Sequence, residues 1–295
     1  MRYGYRNGNY NVIIDAETGT KIRFTHDDEF HPRFAESMDV TITYKCDGGC
    51  PFCYADCTPQ GKHADLMSRE VSLLIDSLHP HTELALNGND LTIPHFEEFL
   101  TKLKQKRIIT NLTVNQKHFV KNIDLLKDLT NKGLIKGLGV SLSDPLDKHL
   151  DQIMEFPNAI LHTVAGILSP EDVNILKNKN IKLLILGYKQ KGRGVDYYSQ
   201  EIKDNIETLK NLLPSMLDNK WFNLISFDNL ALEQLAVKNL LSEEEWERTY
   251  MGDEATFTFF IDLVNETFAG NSLTAETFPI KDWDAIHMFQ TIQKK

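Results

Sequence analysis

The chain has 295 residues, 41% hydrophobic and 25% charged, with a formal net charge of -10. This size and mix supply a large core and exclude disordered and collagen-like classes, and the acidic balance argues against a broad nucleic-acid-binding face, which needs clustered Lys and Arg. No run approaches the roughly 18 apolar residues of a membrane span, and "MRYGYRNGNYNVIID" lacks the apolar stretch of a signal peptide, so a cytoplasmic protein with no membrane partner is expected.

In chain order, "YNVIIDAETGTKIRF" (10–24) places a β-rich run on each side of an Asp/Thr/Gly turn and predicts a β-hairpin, which with its lead-in makes an N-terminal unit over 1–38. "DVTITY" (39–44) alternates polar and apolar residues as a strand does, then runs into "KCDGGCPFCYADC" (45–57), which holds all four cysteines of the chain. Val71, Leu74, Ile75 and Leu78 then recur at helical spacing, followed by the strand-like "ELALN" (83–87). Pro94 opens a helix with the stripe Phe96, Phe99, Leu100 and Leu103.

The alternation continues with "NLTVN" (111–115), a helix near 117–132, "GLGVSLS" (137–143), a short helix near 145–155 and "AILHTVAG" (159–166). Ser169 and Pro170 mark a capped helix start, and "KLLILGY" (182–188) is the sixth strand. Six strands alternating with helices predict an α/β unit over 39–198 with a parallel sheet and right-handed crossovers. Beyond it the pattern changes: a helix over 199–213 ended by Pro214, a strand near "NLISFDNL", the acidic helix "SEEEWERTYM" and the strand "TFTFFIDLV" (256–264). This reads as an α+β extension, 199–295, covering the sheet.

Four clustered cysteines without distant partners are a poor disulfide framework, and in a reducing compartment they point to metal or to chemistry. Cys46, Cys50 and Cys53 form C-x3-C-x2-C, and three thiolates on one short loop can wrap three corners of a 4Fe-4S cubane, with Gly48 and Gly49 letting backbone amides approach the sulfides. The fourth iron then stays open. A structural zinc site usually ties two separated ligand pairs together, and an electron-transfer cluster wants a fourth thiolate. Cys57 could supply one, but four residues after Cys53 in a helical turn it ligates awkwardly and reads as a non-ligand.

The loop resembles that of the radical S-adenosylmethionine (radical SAM) superfamily, C-x3-C-x-φ-C, with Phe52 as the aromatic φ. The likeness spans about 39–190 and implies a partial (β/α)6 barrel with the N-terminal hairpin and C-terminal extension appended. It implies that S-adenosylmethionine chelates the open iron with Phe52 near its adenine, and that one-electron reduction releases methionine and a 5′-deoxyadenosyl radical that takes hydrogen from a substrate. Asn87, Gly88 and Asn89 match the family's methionine-holding Gly-Gly-Glu-Pro segment, lacking its first Gly and its Pro. Ser141 and Ser143 resemble the serine-bearing strand that meets ribose or carboxylate, with helix capping as the other reading. Gly166 and Ile167 match the strand exit whose backbone contacts adenine.

Read from the residues alone, "GYKQKGRG" (187–194) sets Lys189, Lys191 and Arg193 between glycines at a strand exit, where they read as ligands for a carboxylate or phosphate of cofactor or substrate, or as a solvated turn. His63 reads as a surface or core histidine. "FHPRFAESMDVTITYKCDGGCPFCY" further resembles small radical SAM proteins of phages and bacteria, a subgroup without an assigned substrate.

Three functions follow. The first is hydrogen abstraction from a peptide or protein, without an auxiliary cluster because no cysteine follows Cys57. The second is modification of a nucleotide, nucleobase or small metabolite, and the third is a zinc- or cluster-stabilised binding protein. The resemblance implies oxygen sensitivity and an electron donor such as flavodoxin or ferredoxin.

Overall fold

A computed structural model describes residues 1–294. Its N-terminal unit is an antiparallel sheet of three strands, β1 (Arg2–Asn7), β2 (Tyr10–Asp15) and β3 (Lys21–Phe24), in that order. The expected hairpin is the β2–β3 pair. The added strand β1 gives little sign of itself in sequence, because "RYGYRN" alternates weakly in burial and carries no strong apolar signal.

The main body alternates β4 (Ser37–Thr41), α1 (Arg69–Ser77), β5 (Glu83–Asn87), α2 (Phe96–Gln105), β6 (Ile109–Asn115), α3 (Gln116–Lys121), α4 (Ile123–Asn131), β7 (Gly137–Ser141), α5 (Leu150–Met154), β8 (Ala159–Val164), α6 (Pro170–Leu176) and β9 (Lys182–Leu186). The helix expected near 117–132 is two, broken at Asn122. Beyond β9 come α7 (Arg193–Tyr197), α8 (Gln200–Asp218), β10 (Leu224–Phe227), α9 (Asn229–Gln234), α10 (Glu243–Thr249), β11 (Thr258–Asp262), β12 (Thr267–Ala269), β13 (Phe278–Pro279) and α11 (Ala285–Gln293). Pro214 does not end α8: Leu213 and Met216 on either side of it are fully buried, and that packing holds the last turn in place.

The ten-stranded sheet has the order β10-β9-β8-β7-β6-β5-β4-β11-β12-β13. Every pair from β10 to β11 is parallel, and β12 and β13 add antiparallel strands at one end. The extension after residue 199 is therefore not only a cover: β10 lengthens the parallel run beyond β9, and β11 flanks β4. Alternation assigns the two faces. Val40, Leu86, Leu112, Val140, Leu161 and Ile185 are buried in the main core with the helices. On the other face the register lines up Asp39, Ala85, Asn111 and Gly137, and in the next row Asn87, Thr113 and Gly139.

The small sheet marks one end of the large one. Lys21 of β3 reaches Glu36, just before β4, at 3.3 Å and Glu83, which opens β5, at 2.9 Å. Arg23 binds Glu36 at 2.9 Å, and Tyr10 donates its hydroxyl to the same carboxylate at 2.6 Å. The strand starts are thus capped, and the cysteine loop leaves from the opposite end, where parallel sheets collect their ligands. Among the described residues no helix is long and apolar enough to cross a membrane.

Candidate active site

The segment after β4 leaves and returns alongside itself. Ala64 donates to Ile42 O at 2.9 Å, Tyr44 to Lys62 O at 2.9 Å and Cys46 to Thr58 O at 2.8 Å, so the cysteines occupy a loop whose two ends are zipped together. Gly61 is required in this neck because a Cβ there would lie 2.0 Å from Tyr44 O. His63 belongs to the neck as well, its ring 2.8 Å from the Thr43 hydroxyl.

Cys46, Cys50 and Cys53 are half-buried, whereas Cys57 is buried. The Gly48 amide donates to Cys46 Sγ at 3.3 Å, and Asn115 Nδ2, at the exit of β6, faces Cys50 Sγ at 3.8 Å. His118 Nε2 lies 3.9 Å from Cys46 Sγ and 2.8 Å from the Asp47 carboxylate. Gly49 has a φ of 66° and nothing within 4 Å of where a Cβ would stand. Burial pushes the Cys46 and Cys50 thiols up. Cys53 is pushed down by a hydrogen bond from Cys57, then by backbone amides and the Arg193 charge, so Cys57 keeps its proton while Cys53 carries the negative charge.

Three accessible thiols with amide donors around them fit a cubane held by three corners, and Cys57 is occupied elsewhere: Asn89 Nδ2 donates to its sulfur at 3.3 Å. Among the described residues no three His, Cys, Asp or Glu side chains gather as ligands of one metal ion.

The other sequence-chosen residues divide between strand exits. Asn87 spends its side chain on the neck, accepting from Ile42 N at 2.7 Å and donating to Thr43 O at 2.7 Å. Gly88 donates to Thr113 O at 2.6 Å, and a Cβ there would press on Leu112, Val114 and that carbonyl at 2.9–3.1 Å. Asp90, closing the same turn, pairs with Lys45 at 3.4 Å. This turn therefore braces the cysteine loop at three points. Ser141 ends β7 on the inner face, beside Asn115 and His162. Ser143 caps no helix; its amide and hydroxyl both donate to Gln116 Oε1, at 2.8 and 3.2 Å. Gly166, with a φ of 86°, lies against Ile202 of α8 and accepts from Asn205 at 3.2 Å, and the Ile167 amide turns back to Val164 O. Phe52 packs on Tyr197 with ring centroids 5.9 Å apart.

The basic loop is a clasp. Arg193 donates through Nε to Cys50 O and through Nη2 to Cys57 O, both at 3.2 Å, while its amide binds Asp56 at 2.8 Å. Lys189 lies 4.3 Å from the centre of the Tyr54 ring and binds Ser272 Oγ at 3.3 Å; Lys191 binds Ser272 O at 2.6 Å. We expect Arg193→Lys, which keeps the charge but loses the fork, to lower the iron and sulfide taken up per chain on anaerobic reconstitution. Wild-type uptake would show that the loop holds its shape without the guanidinium.

Asn115, Gln116, His118 and His162 also belong to this end of the sheet, and Asp39 lies on the inner face in the middle of β4, although no sequence motif marks them. The first three follow one strand in "NQKH" and carry a signal only in their position at a strand exit. Asp39 lies on the inner face of β4, where desolvation by the surrounding sheet raises its carboxyl above the usual range, an effect Lys189 opposes and Asp228 reinforces. His162 is pushed down to about 4 by burial and is neutral at neutral pH. Its ring occupies the space left by Gly139, where a Cβ would lie 2.5 Å away.

The chain thus presents a sequential parallel α/β sheet with a three-cysteine loop at the exit of one strand and bracing turns at the next exits. Among solved structures, SuiB of Streptococcus suis bound to S-adenosylmethionine matches with a TM-score of 0.59 at 13% identity, over 97% of this chain and 87% of that one. SuiB bound to its precursor peptide SuiA matches with a TM-score of 0.56 at 14% identity, over 92% and 83%. No protein-family model matches the sequence, and no curated protein does.

Proposed function

We propose that the chain is a radical SAM enzyme acting on a peptide, with a 4Fe-4S cluster on Cys46, Cys50 and Cys53 and S-adenosylmethionine at the remaining iron. The observation that carries this is the division of the four thiols: three half-buried on a loop zipped at its neck, the fourth buried under Asn89. When bound, such a cluster supplies the electron that splits S-adenosylmethionine into methionine and a 5′-deoxyadenosyl radical. The chain's own residues do the positioning. Arg193 holds the loop carbonyls, Asn87 and Asp90 fix the neck, and Asn115 offers its amide to Cys50.

Small and polar inner-face residues, Ala85, Asn111, Thr113 and Ser141, support a partial barrel, with Asn111 packed over Gly137 and His162 over Gly139. Phe52, Ser141, Gly166 and Ile167 are the proposed S-adenosylmethionine contacts. Gly88 closes the turn that Asn87 and Asn89 brace, and Lys189 and Arg193 act through the loop they clasp. SuiB binds a precursor peptide, and a peptide is favoured here too because Asp39 on the inner face and Asp228 beside it repel the phosphates of a nucleotide.

Anaerobically reconstituted protein incubated with S-adenosylmethionine and dithionite is expected to form 5′-deoxyadenosine at a rate proportional to cluster content. Protein carrying zinc without acid-labile sulfide, and forming no 5′-deoxyadenosine, would sink the proposal.

A further inference from the structure

At the exit end of the sheet, a cleft of about 470 Å³ opens between α9, α10 and the loop around Leu273. Its wall is apolar and flat: Trp246 and Tyr250 stack with centroids 4.5 Å apart, and Leu230, Leu232 and Leu273 complete it. Three carboxylates line it as well, Glu233, Asp253 and Glu254, all exposed. None forms an ion pair among the described residues. Asp253 accepts the Tyr250 hydroxyl, and Glu254 accepts from Asn271. The one lining cation, Lys238, lies over Trp246 at 5.5 Å.

The cleft leads towards the cysteine loop. Leu273 adjoins Ser272, which Lys189 and Lys191 bind, and Lys189 in turn lies on Tyr54, the residue after Cys53. Glu254 also feels the charges of Lys189, Asp228 and Asp39, so acidic groups continue from the cleft towards the inner face of the sheet.

We propose that this cleft docks a basic segment of the peptide substrate, with the alkyl stem of a Lys or Arg along Trp246 and Tyr250 and its cation among Glu233, Asp253 and Glu254. The chemistry is complementary on both counts: aromatic faces attract a cation and cover its stem, and unpaired carboxylates take its charge. Three acids against one lysine repel a nucleotide or nucleic acid. The segment's continuation then reaches the inner face past Lys189. This inference rests on the radical SAM reading but concerns a separate part of the chain.

The test is calorimetric titration of the full, reconstituted chain with an end-blocked octapeptide alternating lysine and glycine, and with its glutamate counterpart. The lysine peptide is expected to bind saturably and to weaken with added salt, and the glutamate peptide not to bind. Glu233→Lys and, separately, Asp253→Asn, each with unchanged circular dichroism, should weaken the lysine peptide, the charge reversal by about tenfold. Equal binding of the two peptides, unchanged affinity in both variants, or preferential binding of an oligonucleotide overturns the docking site. Formation of 5′-deoxyadenosine by the wild-type chain is read in parallel. If it persists while the lysine peptide fails to bind, the cleft is wrong and the enzyme reading stands. If the lysine peptide binds but S-adenosylmethionine is not cleaved, the docking site stands and the enzyme reading falls.

Discussion

Cys46→Ala, Cys50→Ala and Cys53→Ala proteins are each expected to emerge from anaerobic reconstitution with iron and sulfide near zero and no 5′-deoxyadenosine above background, whereas Cys57→Ala keeps both close to wild type. The contrast follows from where the thiols stand. A cubane fixed at three corners loses a third of its protein ligation with any one of the first three, and no spare donor replaces it. Cys57 is buried, its sulfur takes the Asn89 amide, and its thiol donates to Cys53. Its removal leaves the small Ala where a buried thiol packed, at a cost to stability on the order of 1 kcal/mol. Iron, sulfide and 5′-deoxyadenosine assays on the four variants check this. Loss of the cluster in Cys57→Ala would make that residue a ligand and close the iron that the other three leave open.

Glu36→Ala is expected to destabilise the fold by about 3–5 kcal/mol, the cost of removing the carboxylate partner of a buried cation, here Arg23, while Lys21 keeps Glu83. Glu36 is fully buried, and its carboxylate meets Lys21, whose side chain is 4% exposed, and Arg23, at 11%. Arg23 also lies over Phe257, 3.8 Å from the ring centre, which restricts the stranded guanidinium's turn towards water. The same cluster sets an acid limit. Burial by itself would raise the Glu36 carboxyl, but the Arg23 hydrogen bond, the Lys21 and Arg23 charges and the Tyr10 hydroxyl outweigh it and hold the group below its ordinary value. A carboxyl depressed in the folded state contributes stability that is present above its unfolded pKa and is lost as pH falls through the folded one. Urea midpoints measured from neutral pH downward should therefore fall below the ordinary glutamate range in wild type. In Glu36→Ala they start lower, and this component of the fall is absent. A midpoint for Glu36→Ala equal to wild type at pH 7 would refute the role assigned to the cluster.

Much of the architecture was legible because each strand-helix pair repeats the same local signals. Ser169 caps α6 and Pro170 opens it as their order implies, with Asp172 completing a capping box, and "ELALN" is β5 residue for residue. The extension was harder. β10 and β11 are four and five residues long, and nothing in "LISF" or "TFFID" says which strand edge will take them; that is decided by long-range pairing with β9 and β4. Three cysteines announced the loop, but what holds it did not show in the sequence. Arg193 is 136 residues from the Cys57 carbonyl it binds, while its two neighbouring lysines read as ligand-binding residues because their partner, Ser272, lies just over 80 residues further along the chain. His162 had no pattern at all: it follows from the bare Cα of Gly139 on the neighbouring strand.

In the proposed site the cysteine loop leaves one iron free for S-adenosylmethionine. Electron-nuclear double resonance of the reduced protein, with S-adenosylmethionine carrying nitrogen-15 in its methionyl amine, tests it most directly. A resolved nitrogen-15 coupling to the cluster is the expected result, unchanged in Cys57→Ala. A cluster that forms and reduces normally but shows no such coupling would contradict it.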